Sequence, residues 1–318
     1  MTDLRLPMMF PGQASQVVGM ARDLAEADGA AGRFLAGVND ILGFDLLKIM
    51  FEGPAETLTE THNAQPAILA HSVAMLLALR ERNIRPAAVA GHSLGEYSAA
   101  VACGSLRPFD ALRAVRRRGE LMFAAGRSRP GAMAAVMGLG AEQVKEICEN
   151  TGGVVVLANF NSPLQMVISG EVAAVTAAGE DLKAAGARRI IPLKVSGAFH
   201  SPLLEEAAAE FRAFLAEIPL KDPEVPLVAN VSARAVTDAR QLRLGLEAQL
   251  TSPVLWHPSM ATLLSVAGNA GKTLEVGPGK VLTNLAKRSY PTVDFVAVGS
   301  LADLDSLASR DMMMEEEA

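Results

Sequence analysis

The sequence predicts an α/β protein: a parallel sheet covered by helices on both faces, with a smaller βαββαβ unit set into it. Three observations carry that reading. Short apolar runs, such as Leu4 to Phe10 and Ala87 to Ala90, alternate with stretches of helical spacing. A Gly-x-Ser-x-Gly turn, Gly91-His92-Ser93-Leu94-Gly95, joins one of these runs directly to a helix. Between Ala132 and Val195 the order becomes strand, helix, strand, strand, helix, strand, which is the split βαβ pattern.

Taken in order, Leu4 to Phe10 reads as a buried strand broken at Pro11-Gly12, and helical spacing follows from about Gly19, through Gly32 to Val38 and Leu46 to Phe51. Gln65-Pro66 is expected to open a helix filled by Ala67 to Leu79, because proline suits a first turn. The Ala87 strand, the Ser93 turn and a helix from about Pro108 to Ala125 come next. The pattern changes at Arg127-Ser128-Arg129-Pro130-Gly131. Within the inserted unit we expect strands Ala132–Leu139, Val154–Phe160, Gln165–Ser169 and Arg188–Val195, with helices Ala141–Asn150 and Val172–Ala185. Beyond it come helix Pro202–Ile218 and strands Val225–Asn230 and Leu274–Gly277. The large unit is thus expected at 1–128 and 196–310, the insertion at 129–195, and a frayed acidic tail at 311–318.

A chain of 318 residues has room for a large core and for two such units. With 50% hydrophobic and 20% charged residues it has an ordinary globular balance, and a net charge of −6 argues against nucleic acid as the main partner. Cys103 and Cys148 make neither a disulfide framework nor a metal cluster and suit a reducing compartment. Met1 to Arg5 lacks the apolar core of a signal peptide, and Ala67 to Leu79 is too short to cross a bilayer. A soluble, cytoplasmic chain without a membrane partner is the expectation.

The chemistry centres on Ser93. Glycines on either side let the backbone bend sharply, so that the hydroxyl stands out at the end of a strand. The helix that follows supplies free N–H groups and a positive dipole end where an oxyanion would develop. Such a serine needs a base, and the chain has five histidines. His92 adjoins Ser93, but neighbouring strand residues point to opposite faces. His71 lies among Ala, Val and Leu as a core histidine, and His62 sits in a polar stretch read as a solvated loop. His257, between Trp256 and Pro258, is a boundary residue. His200 follows the last inserted strand and precedes the helix start Ser201-Pro202, at the mouth of the large unit, and is favoured as the base.

Arginines add a third group. Arg116, Arg117 and Arg118 share a helix whose apolar face includes Leu112, Val115 and Met122. At about 100° per residue Arg117 points away from that face, while Arg116 and Arg118 flank it on opposite sides. Either flanking guanidinium has the planar fork to hold a carboxylate, and the wheel does not choose between them. Val276-Gly277-Pro278-Gly279-Lys280 lacks P-loop spacing and reads as a turn before a helix. No H-E-x-x-H or C-x-x-C stretch suggests a metal.

With these residues in view, the chain closely resembles malonyl-CoA:acyl carrier protein transacylases, the acyltransferase family of fatty acid and polyketide synthesis. The likeness rests on Phe10 to Gln16, Glu52-Gly53-Pro54, Thr61 through Gln65-Pro66-Ala67, Gly91 to Glu96, Arg118-Gly119 and Asn161 to Gln165. It continues in Gly197-Ala198-Phe199-His200-Ser201-Pro202, Gln249 to Val254 and Glu275 to Lys280. The resemblance implies an α/β-hydrolase-like large subdomain with a ferredoxin-like insertion.

It further implies Ser93 as nucleophile, His200 as base, and Gln249 as the residue that holds the histidine through a carbonyl. The Gln13 and Leu94 amides would form the oxyanion hole, and Arg118 rather than Arg116 would pair with the malonyl carboxylate. Phe199 resembles the malonyl-selective relatives. Ping-pong transfer from malonyl-CoA to acyl carrier protein, by a monomer without metal or redox cofactor, is the implied activity. Position 14 departs from the family, with Ala14 where glycine is usual. If it needs positive φ, the alanine carries about 1 kcal/mol or more of strain. Carrier proteins are acidic, so Arg127, Arg129, Lys183, Arg188, Arg189, Lys280, Lys287 and Arg288 are candidates for a docking patch. The competing readings are a polyketide trans-acting acyltransferase, a serine hydrolase that uses the same Ser93–His200 dyad or, in the conventional order, a triad such as Ser93, Asp238 and His257, and a non-catalytic scaffold.

Overall fold

A computed structural model gives the fold, and the structure describes residues 3–268 and 270–307. The tail expected at 311–318 lies outside the described residues. Among the described residues ten strands follow in chain order: β1 (Leu4–Phe10), β2 (Ile84–Gly91), β3 (Gly131–Met137), β4 (Val155–Ser162), β5 (Gln165–Glu171), β6 (Arg189–Pro192), β7 (Leu227–Val228), β8 (Ala235–Val236), β9 (Lys272–Val276) and β10 (Asp294–Val298). They form a six-stranded sheet in the order β10-β9-β1-β2-β7-β8 and a four-stranded sheet in the order β4-β5-β3-β6.

The large sheet is parallel except at its edge, where β8 runs antiparallel to β7. β1 is registered on β2 from Leu4 opposite Ile84 to Phe10 opposite Gly91. The register slips between Leu6 and Met8, where Pro7 has no N–H for the ladder. Burial on both faces explains why these strands read as apolar runs. Leu6, Met8, Phe10 and Val89 join the core on one face, while Met9, Ala88 and Ala90 join Trp256, Met260 and Phe295 on the other. At the centre of the first core is helix Thr61–Glu81, buried on nearly every side and packed against helix Pro108–Ser128.

The small sheet is wholly antiparallel, and its strand order is that of a ferredoxin-like unit. Ala134, Val136, Met166 and Ile168 pack under helices Ala141–Asn150 and Val172–Ala184. The alternate residues Met133, Ala135 and Val167 belong to the large core instead. The small sheet therefore turns its second face to the large sheet, and a cleft runs between the two.

Several elements differ from the sequence reading. The buried helix starts at Thr61, four residues before Gln65-Pro66, so Pro66 lies inside it. The carbonyl its missing N–H leaves free, that of His62, accepts instead from Arg116 Nη1 at 2.8 Å. His62 is accordingly helical and half-buried, edge-on to Phe123 at 4.6 Å, rather than in a solvated loop. The strand expected at Arg188–Val195 stops at Pro192, which has no N–H to donate. The strand expected at Val225–Asn230 keeps ladder geometry only at Leu227–Val228, and the helix from Pro202 begins as a 3₁₀ turn before Glu205–Ala216. β8 and β10 were not foreseen.

Candidate active site

The turn after β2 is built by close approach. A Cβ on Gly91 would overlap the carbonyl of Gly95, and one on Gly95 would overlap the carbonyl of Phe10. Between them Ser93 takes φ +51°, the left-handed region that a β-carbon disfavours. Two side chains hold that strained peptide. Asn230 Oδ1 accepts from the Ser93 N–H at 2.7 Å, and Gln249 Nε2 donates to the Ser93 carbonyl at 3.0 Å. Asn230 is itself tied to the turn through Nδ2, which donates to the Gly91 carbonyl at 2.6 Å.

His200 arrives from the loop after β6, also left-handed at φ +57°. Its Nε2 lies 2.8 Å from Ser93 Oγ, and its Nδ1 lies 2.9 Å from the main-chain oxygen of Gln249. A carbonyl only accepts, so Nδ1 carries the proton and the Nε2 lone pair faces the serine hydroxyl. Burial, reinforced by the nearby Arg118 guanidinium, pushes the His200 pKa down to about 3. The ring is neutral at physiological pH and free to accept a proton.

Arg118 is 1% exposed and points into the same cleft. Its Nη1 donates to Gln65 Oε1 at 2.8 Å, and its Nη2 to Gln249 Oε1 at 2.9 Å and to Ser93 Oγ at 3.1 Å. Among the described residues these acceptors are all uncharged, while its Nε is buried without a partner. A buried cation that meets only neutral acceptors leaves the cleft suited to an anion. Arg116 turns away to His62, Asn63 and Glu120, and Arg117 pairs with Glu210 at 3.1 Å.

The cleft encloses about 440 Å³ and is lined by Gln13, Ser93, Leu94, Arg118, Phe199 and His200, with Met133 and Val167 from the small sheet. Among the described residues the N–H groups of Gln13 and Leu94 make no hydrogen bond, so both are free to meet a ligand oxygen. The Gln13 side chain is fixed by Thr61, whose Oγ1 donates to its Oε1 at 2.6 Å. Ala14 does have positive φ, at +81°.

The other candidates lie elsewhere or do other work. His92 bridges to the small sheet through Asn161 Oδ1 at 2.8 Å. His71 is buried in its helix with Nε2 2.7 Å from the Gly299 carbonyl. His257 lies between the rings of Phe160 and Tyr290, each 5.8 Å away, and Asp238 accepts from the Gln241 N–H at a helix start. Neither lines the cleft around Ser93. The eight basic docking candidates are all exposed. Among the described residues no cluster of metal-ligating side chains occurs, and no helix is long and apolar enough to cross a membrane.

Four contributors were missed or given no role from sequence: Gln65, Glu96, Asn161 and Asn230. Glu96 is 0% exposed and forms its hydrogen bonds behind the turn. A charged residue directly before the apolar stretch Tyr97 to Cys103 was the available signal for Glu96. Asn230 had none, because it reaches Ser93 across 137 positions of sequence.

Comparison with known proteins agrees with this geometry. The acyl transferase domain model matches residues 8–305. A malonyl CoA-acyl carrier protein transacylase of Bacillus subtilis is 43% identical over 297 residues, which span 92% of this chain and 93% of the relative. An acyl carrier protein S-malonyltransferase of Vibrio cholerae superposes with a TM-score of 0.90 at 41% identity, covering 95% of this chain and 99% of that one. A malonyl-transacylase solved in complex with a type II PKS acyl-carrier protein superposes at 0.89 with 40% identity, over 95% and 98% of the two chains. On its sequence, its fold and the serine turn at its centre, the chain belongs to the acyl transferase family, in the branch of the malonyl CoA-acyl carrier protein transacylases.

Proposed function

We propose that the chain moves a malonyl group from malonyl-CoA to the phosphopantetheine thiol of acyl carrier protein, through an ester on Ser93. The observation that carries the reading is the hydrogen-bonded Ser93–His200 pair, 2.8 Å apart, with the buried Arg118 fork beside it. The names of the relatives supply the substrate class.

His200 Nε2 takes the Ser93 proton as Oγ adds to the thioester carbon, and the Gln13 and Leu94 N–H groups meet the oxyanion. The carbon–sulfur bond breaks, and His200 returns the proton to the coenzyme A sulfur. Malonyl-Ser93 remains, its carboxylate on Arg118. The carrier thiol then gives its proton to His200 and attacks the ester. The tetrahedral intermediate collapses to the malonyl thioester, and the proton returns to Ser93. Every proton and bond in this sequence balances with the protein's own groups, so the cycle as written needs no added cofactor.

Phe199 narrows the acyl pocket towards an unbranched chain. The product supplies extender units for fatty acid biosynthesis. The chain acts as a cytoplasmic monomer, its large subdomain at 1–128 and 196–310 and its insertion at 129–195 closing over the acyl group.

The test is intact-mass measurement after mixing with malonyl-CoA or acetyl-CoA, followed by addition of carrier protein. A malonyl adduct absent in Ser93→Ala and passed to the carrier is the expected result. Free malonate with nothing on the carrier would make the chain a hydrolase.

A further inference from the structure

Behind the Ser93 turn lies a carboxylate that the acyl-transfer steps do not use. Glu96 is fully buried on the first turn of helix Gly95–Ala102. Its Oε1 accepts from the Asn230 main-chain N–H at 3.2 Å, and its Oε2 accepts from Gln249 Nε2 in a short hydrogen bond. Neither contact reaches the cleft, and Glu96 is not among the residues that line it.

What Glu96 holds is decisive. Asn230 and Gln249 are the two residues whose side chains grip the N–H and the carbonyl of the left-handed Ser93 peptide. Gln249 also supplies the main-chain oxygen that orients His200 and the side-chain oxygen that accepts from Arg118. One buried carboxylate thus ties together the supports of nucleophile, base and anion clamp. The Ser93 carbonyl and the Arg118 donor set which way the Gln249 amide faces, and the Glu96 carboxylate gives its Nε2 a second acceptor that holds it there. The cost of burying the charge pushes the Glu96 pKa up to about 7, even against those two donors and Arg118. A carboxyl buried at that cost, accepting from two donors, does work that an apolar residue in a packed helix would not perform.

We propose that Glu96 is a positioning residue for acyl transfer, acting through Gln249 and Asn230 to fix the Ser93 turn and the His200 ring. The proposal rests on the acyl-transfer reading. Substituting Glu96→Gln keeps the size but turns one acceptor into a donor facing a donor.

The experiment is rapid-quench malonylation of Ser93 read by intact mass, for wild type, Glu96→Gln, Gln249→Ala and the double variant. The expected result for Glu96→Gln is a burst amplitude still near one malonyl group per chain, with its rate at saturating malonyl-CoA lowered about thirtyfold or more. The half-saturating concentration should stay within about threefold. Because part of the Glu96 effect runs through Gln249, the loss in the double variant should fall clearly short of the product of the two single losses. A Glu96→Gln rate within threefold of wild type, or losses that multiply in the double variant, would overturn the proposal. Should Glu96→Gln not fold, Glu96→Asp, which withdraws the carboxylate by one methylene, is read by the same criteria with about a tenfold loss expected. A wild-type chain that forms no malonyl ester at all would overturn the acyl-transfer reading and this proposal with it.

Discussion

Ser93 and His200 face one another across 2.8 Å, and each is delivered from left-handed backbone, at φ +51° and +57°. Neither is glycine, so each conformation costs about 1 kcal/mol or more and persists only because its surroundings hold it. For Ser93 those surroundings are Asn230 and Gln249. The strain aims both side chains out of their elements and into one cleft.

That pairing sets the first prediction. Replacing His200 by Ala removes the acceptor for the Ser93 proton and should lower the malonylation rate by about 10²- to 10⁴-fold. Stopped acylation assays followed by mass measurement would show it. A rate within tenfold of wild type would assign the base elsewhere.

In the proposed reaction Arg118 governs which acyl group is taken. Its fork meets only neutral acceptors in the free protein, so an incoming carboxylate gains a charged partner that an acetyl group cannot offer. Arg118→Ala should lower kcat/KM for malonyl-CoA about 10²-fold or more while leaving acetyl-CoA within about fivefold. Competition between the two thioesters, read on the carrier protein, checks it.

The pH profile follows from the neutral His200 ring. Its pKa is lowered to about 3 in the free protein, so the base stays deprotonated as pH falls through the ordinary histidine range. The profile of kcat/KM for malonyl-CoA should therefore carry no His200 limb between pH 8 and about 5, and the fall it shows should centre near pH 7, where Glu96 takes up a proton, since that ratio reports the free enzyme. An acid limb centred between pH 6 and 7 that persists in Glu96→Gln would contradict the His200 assignment.

Ala14 is the residue out of place. At φ +81° a glycine would sit without strain, and the gain exceeds the extra chain freedom that glycine brings to the unfolded state. Ala14→Gly should raise stability by about 0.5 kcal/mol, read as a higher urea midpoint at unchanged slope. Transfer activity should remain within about twofold.

Arg116 is needed by the helix rather than the chemistry. Cutting it to Ala leaves the His62 carbonyl unpaired where Pro66 cannot serve it, a loss of about 1–2 kcal/mol. Urea unfolding should register that loss, while malonylation per folded chain stays within about threefold of wild type.

Much of this architecture is legible in the chain. Leu4–Phe10 and helix Ala141–Asn150 have the bounds their patterns suggest, because apolar period and flanking turns agree there. The helix around Pro66 is less legible, since its start depends on Arg116 supplying a bond from another helix. β8 has two residues and carries no local pattern of its own, whereas β10 holds the apolar run Phe295 to Val298, a strand signal absent from the expectations. In the site, Ser93 announces itself through the two glycines that only a tight turn requires. His200 stands out by position. Asn230 does not, because its partners are set by distant pairing across the fold, and Glu96 shows only as a charge beside an apolar run. Between Arg116 and Arg118 the helical wheel is silent, and burial decides which one enters the cleft.

The grips on the Ser93 peptide come from 137 and 156 positions further along the chain. During synthesis the serine turn leaves the ribosome long before Asn230 and Gln249 exist, so the left-handed peptide has nothing to hold it. The nucleophile is assembled only when the C-terminal third closes over it. A chain cut before Gln249 lacks one of those two grips and the carbonyl that orients His200, so its reactivity towards thioesters should appear only as folding is completed.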